Sequence, residues 1–210
     1  RAVLTGLASL PLAAVLADPR LAAAAAGGLE EVSVDLPSGG SVSAALAVPE
    51  TTPAPAVLLI HEWWGVKDHI KAVAADFAKQ GYLALAADLY GGEVATTPEG
   101  AKALMGAVDA AKATETLVTW SEWLKAHDAS TGKLGTVGWC FGGGWSLDAS
   151  LATPVDATVV YYGRVTKSAE QLASLQGPVL GHFATQDAWS NQELVHGAPA
   201  AMDQAGKRHA

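Results

Sequence analysis

Five short apolar runs, each followed by a stretch with helical spacing, constrain this chain more than any other feature. Ala56–Ile60, Tyr82–Ala87, Leu134–Trp139, Ala157–Tyr162 and Val179–Phe183 are near-continuous hydrophobic segments of strand length, the pattern of strands covered on both faces. Between and after them, 70–80, 98–104, 110–127, 168–175 and 192–205, together with a segment opening at Gly142, carry apolar residues at helix periodicity. Alternation of this kind predicts an α/β domain with a mostly parallel sheet, helices on both faces and right-handed crossovers. Ahead of it, alternating residues 31–36 and 41–48 flank Ser38-Gly39-Gly40 and predict an edge hairpin. With 210 residues, half of them apolar, the chain can bury one sizeable core.

Composition narrows the function. The net charge of -8 comes without basic blocks, which argues against nucleic-acid binding. The single cysteine excludes an intramolecular disulfide. No histidine pair has ligand spacing with a carboxylate or thiol, so neither a metal nor a cofactor is expected. Residues 1–28 have the layout of an export signal: Arg1, an apolar stretch through Leu16, then alanines 22–26 before Gly27-Gly28. The opening is similar to the second Arg of a twin-arginine signal followed by an apolar pair. Pro11 and Pro19 are expected to break any helix there. The expectation is an exported protein, periplasmic or extracellular, with no membrane association once the signal is trimmed near Gly27, and a domain spanning 29–210.

In such a sheet, ligands sit beyond the carboxyl ends of the strands. After Val137 the chain reads Gly138-Trp139-Cys140-Phe141-Gly142-Gly143-Gly144. Glycines on either side of a central nucleophile allow the sharp strand-to-helix turn that lifts it to the mouth of the sheet. Cys140 is therefore the candidate nucleophile, set at a helix N-terminus where the dipole favours thiolate. A structural cysteine is the alternative reading. Asp187 follows a later strand, matching the nucleophile-then-acid order of a catalytic triad, although an Asp in a surface turn would look the same. The loop His61-Glu62-Trp63-Trp64-Gly65 after the first long strand, and the residue after the nucleophile, are where this architecture places oxyanion donors, here the Trp63 and Phe141 amides. Trp64, Trp139 and Trp189 crowd around these motifs as candidate substrate contacts. The remaining histidines read as packing residues (His61, His182) or as solvated residues on helices or helix ends (His69, His127, His196).

His61-Glu62-Trp63-Trp64-Gly65, Ala87-Asp88-Leu89-Tyr90, the Cys140 motif, Tyr161-Tyr162-Gly163 and Gly181–Asp187, in this order, resemble the dienelactone hydrolase family from about residue 29 onward. The resemblance implies an α/β-hydrolase fold and a Cys-Asp-His triad carried by Cys140 and Asp187. It implies Tyr90 beside the substrate, and Glu62 as a carboxylate that pairs with the resting thiol, raises its pKa and swings away when substrate binds. A lone thiol in an oxidising compartment would gain from such masking.

The implied reaction is hydrolysis of a small-molecule ester or lactone, of the carboxymethylenebutenolidase kind, through an acyl-enzyme. The family's Arg after Asp-Leu-Tyr is missing from Asp88-Leu89-Tyr90-Gly91-Gly92-Glu93, which opens the substrate to neutral esters and lactones. A non-catalytic binding protein on the same fold is the alternative, and a peroxide-sensing thiol protein is disfavoured by the lack of a resolving Cys. The triad His is expected beyond Ala210, with Lys207–Ala210 as the first residues of the last strand and the final strand and helix cut away. A chain ending there is expected to be unstable and to hydrolyse esters poorly.

Overall fold

The computed structural model describes residues 11–184 and 192–210, with side chains to Ala184 and again from Gly197. Seven strands form one sheet: β1 (Glu30–Asp35), β2 (Ser41–Ala47), β3 (Ala54–Ile60), β4 (Leu83–Ala87), β5 (Ser130–Trp139), β6 (Ala157–Tyr161) and β7 (Val179–His182), in the spatial order β1-β2-β4-β3-β5-β6-β7. The β1–β2 hairpin is antiparallel and β2 joins β4 antiparallel, while every pairing from β4 to β7 is parallel. The predicted edge hairpin and parallel sheet are both present.

Eight helices are described: α1 (Leu12–Ala17), α2 (Pro19–Ala26), α3 (Asp68–Lys79), α4 (Pro98–Ala107), α5 (Ala110–Ala126), α6 (Phe141–Ala152), α7 (Ala169–Leu172) and α8 (Gln192–Gln204). The period-two side-chain alternation divides the central strands between two cores. Ala56, Leu58, Ile60, Leu83 and Leu85 pack with Leu117, Trp120 and Leu124 of α5, whereas Val57, Leu59, Ala84 and Ala86 pack with Ile70, Ala74 and Ala78 of α3. Strands between two helical layers must be apolar at every position, which is why β3 and β4 show no polar alternation.

Two regions differ from the sequence reading. Pro11 and Pro19 do not abolish helix. Pro11 stands at the N-cap of α1, and Pro19 at the first turn of α2 behind an Asp18 side chain that accepts from the Arg20 amide. Proline is tolerated there because the first helical amides lack intrahelical partners anyway. Val15 and Ala22 are buried against Ala72 of α3. The helix from residue 168 is also shorter than its pattern suggested, a single capped turn with a Ser168–Gln171 capping box. No described helix is long and apolar enough to cross a membrane.

Beyond β7, residues 208–210 run parallel to it. The Val179 amide donates to the Arg208 carbonyl at 2.9 Å, Ala210 to Val179 at 3.0 Å and Gly181 to Ala210 at 2.8 Å. Lys207–Ala210 thus take the strand position expected of them. They supply hydrogen-bond partners to β7.

Candidate active site

The registers bring the motifs together. Ile60 pairs with Ala87 on one side and Gly138 on the other, Trp139 with Tyr161, and Tyr161 with His182. The residues that follow β3, β4, β5 and β6 therefore emerge along one end of the sheet: Glu62 to Trp64, Asp88 to Tyr90, Cys140 and Tyr162.

Cys140 occupies the turn between β5 and α6 at φ 56°, ψ -117°, a region L-residues rarely adopt. The turn is pinned by its own backbone: the Cys140 amide donates to the Tyr161 carbonyl at 3.0 Å, and its carbonyl accepts from the Gly143 amide at 3.1 Å. The glycines around it answer to close packing. A Cβ on Gly142 would lie 2.2 Å from the Ile60 carbonyl oxygen and 2.4 Å from that of His61, and one on Gly138 would lie 1.9 Å from the Gly142 carbonyl oxygen. Tight approach of α6 to β3 and β5 is what aims the turn outward. Phe141 is the first residue of α6, so its amide has no intrahelical acceptor.

The loop carrying Trp63 is tied down by His61, which is fully buried. Its Nε2 accepts from the Leu89 amide at 3.2 Å, leaving Nδ1–H to donate to the Glu62 carbonyl at 2.5 Å. Burial lowers its pKa, outweighing the hydrogen bond to the Glu62 carbonyl and the charges of Asp88 and Glu62, which raise it. The neutral ring is thus a structural pin between the β3 and β4 loops, in keeping with a packing role. Its face stacks on Phe141 at 5.7 Å and Tyr90 meets it edge-on at 4.6 Å. The Tyr90 hydroxyl donates to the Trp63 carbonyl at 3.2 Å. Burial holds that phenol well above its ordinary pKa, with further upward contributions from the nearby Cys140 and Asp88. Tyr90 is mostly enclosed and serves as a wall joining the two candidate oxyanion residues.

Glu62 is held at both oxygens. Tyr162 Oη donates to Oε1 at 2.8 Å, and His69 Nε2 lies 3.1 Å from Oε2. Its carboxyl sits below the usual carboxylate range, first because of the His69 hydrogen bond, against the opposing effect of burial, with Tyr162 adding to the lowering. His69 was expected to be solvated. The first turn of α3 instead turns its ring back onto the loop seven residues earlier. Tyr162 is the second non-glycine residue with positive φ among those described, at 42°, and its amide donates to the His182 carbonyl at 2.8 Å. His69 lay in none of the motifs, whereas Tyr162 lay in Tyr161-Tyr162-Gly163. The Tyr162 separation of 100 residues leaves no local signal, although its place in Tyr161-Tyr162-Gly163 marked the strand end.

Among the aromatic residues, Trp64 packs edge-on to Trp63 at 5.0 Å and lies under the Lys67 ammonium at 4.6 Å. Trp139 stacks on Tyr161 at 5.7 Å and lines a cleft of about 760 Å³ that also reaches Glu62 and His69. Asp187 and Trp189 lie outside the described residues, as does the side chain of His196. The other histidines have partners away from the turn: His127 packs on Trp123, His182 on Tyr161, and His209 Nε2 lies 3.1 Å from Asp203 Oδ1.

A cysteine at positive φ in a strand-to-helix turn, at the carboxyl end of a mostly parallel sheet, is the geometry of a nucleophile elbow on an α/β fold. The profile of the dienelactone hydrolase family matches residues 42–210, and the chain belongs to that family. It is 31% identical over 186 residues to a Saccharolobus solfataricus protein named "Putative carboxymethylenebutenolidase", covering 71% of this chain and 72% of the relative. It is 27% identical to the carboxymethylenebutenolidase of Pseudomonas putida, covering 75% and 71%. A solved dienelactone hydrolase-like promiscuous phosphotriesterase from metagenomic libraries superposes with a TM-score of 0.77 over 87% of this chain and 80% of its own, at 22% identity, a likeness of fold alone.

Proposed function

We propose that the protein hydrolyses small ester or lactone substrates through Cys140 as nucleophile and an acyl-enzyme. The observation that carries this reading is Cys140 itself, held at positive φ between β5 and α6 with its amide spent on Tyr161 and its side chain at the sheet's carboxyl end. Backbone strain of this kind, of order 1–3 kcal/mol, persists where the surroundings enforce it and clusters at active sites. Membership in a family with relatives named as carboxymethylenebutenolidases supports the substrate class.

In the proposed cycle a histidine oriented by Asp187 takes the thiol proton as Sγ attacks the carbonyl carbon. The Trp63 and Phe141 amides receive the resulting oxyanion. The alkoxide leaves with the proton from the histidine, giving a thioester. Water, deprotonated by the same histidine, attacks the thioester; the acid departs and the thiol is restored. Glu62 exchanges between the thiol, which it keeps protonated while paired, and the position held by Tyr162 and His69. No observation favours the non-catalytic alternative. In a protein that carries the whole triad, hydrolysis of p-nitrophenyl acetate that is lost on alkylation by one equivalent of iodoacetamide is the expected result. Turnover that survives complete alkylation of Cys140 would exclude a thiol nucleophile.

A further inference from the structure

We propose that His69 and Tyr162 form the seat that takes the Glu62 carboxylate when it leaves Cys140, which makes His69 a positioning residue acting on the thiol through Glu62. The inference rests on the masking role given to Glu62 above and adds where the carboxylate goes. A carboxylate that swings between two positions needs donors at each, because a charge left without them pays a desolvation cost. The donors of the second position are in place: Tyr162 Oη on Oε1 at 2.8 Å and His69 Nε2 near Oε2 at 3.1 Å.

The seat is built from two elements that flank the loop. His69 is the second residue of α3, and Tyr162 stands just past the end of β6. Tyr162 reaches Glu62 from a left-handed backbone conformation, fixed by its amide bond to the His182 carbonyl, and such strain at a bulky residue marks a position held for a purpose. Glu62 and His69 side chains are 26% and 34% exposed, so the carboxylate is neither locked in the core nor loose in solvent. Hydrogen bonds to a charged group are the strong ones, so two of them compete effectively with a thiol for the same oxygens. Weakening the seat sends Glu62 back to Cys140 and deepens the masking.

The test is the rate at which iodoacetamide alkylates Cys140 at neutral pH, measured in the full chain with unchanged circular dichroism. Starting from the natural residue at 62, His69→Ala is expected to slow alkylation about tenfold, the loss of one charge-assisted hydrogen bond. His69→Gln, which keeps a donor, restores most of the rate, and Tyr162→Phe slows it in the same direction. Glu62→Gln alone speeds alkylation, and in that background His69→Ala changes the rate less than about twofold, as coupled sites require. Equal effects of His69→Ala in both backgrounds would assign His69 a general structural role and overturn the seat. No effect of His69→Ala while Glu62→Gln still speeds the reaction would overturn the seat and leave the masking intact. No effect of Glu62→Gln would remove the masking reading and the seat with it.

Discussion

Replacing Cys140 by alanine in a protein that carries the whole triad lowers ester hydrolysis by roughly six orders of magnitude, the scale of removing the nucleophile alone. The backbone of the turn does not depend on the side chain. It is set by the Cys140 amide on Tyr161, the Gly143 amide on the Cys140 carbonyl and the glycine contacts beneath, so the melting temperature stays within a few degrees of the parent. Cys140→Ser retains a trace of activity, because a hydroxyl in a site tuned for a thiol is the poorer nucleophile. Steady-state kinetics on an aryl ester beside a thermal melt separate the two quantities. Full activity in the alanine variant would show that the reaction runs elsewhere.

The second large effect is on stability. Gly142→Ala puts a methyl group 2.2 Å from the Ile60 carbonyl oxygen and 2.4 Å from that of His61, and both obstacles are backbone of β3 and its loop, which cannot rotate away. The helix must retreat from the sheet, at a cost of about 3 kcal/mol, the upper end of overpacking. In a domain of this size that lowers the melting temperature by roughly 6–12 °C. Gly106→Ala is the control: it sits exposed in α4 with nothing within 4 Å of an added Cβ, and alanine there is expected to stabilise by about 0.5–1 kcal/mol. Activity in Gly142→Ala falls as well, since retreat of α6 moves Cys140 and Phe141 away from the Trp63 loop. A melting temperature equal to the parent's would mean that the close approach of α6 to β3 does not hold the turn.

Much of this was legible in the residues because it depended on local pattern. The continuous apolar run of β3 fixed a buried strand, the glycines around Cys140 implied a sharp turn, and the hairpin followed from its alternation and glycine pair. What the pattern missed was produced by contacts between distant segments. His69 looked like a solvated helical residue because helical spacing says nothing about which way the first turn of α3 faces. Tyr162 looked like the last residue of a strand, and its left-handed backbone arises only where β6 meets β7 and the Cys140 turn. The N-terminal prolines were read as helix breakers although each stands where a helix begins, the one place proline costs little. Asp187 and Trp189 are assigned by motif alone, and they fall outside the described residues.

The central claim is that Cys140 carries the acyl group. Rapid mixing with p-nitrophenyl acetate, acid quench within the first turnover and mass spectrometry of the digested protein addresses it directly. The account predicts one acetyl group per chain, on the peptide containing Cys140, appearing with the burst of nitrophenol and absent from Cys140→Ala. Ester turnover with no acetylated Cys140 peptide at any quench time, or an acetyl group on another residue that decays at the turnover rate, would contradict it.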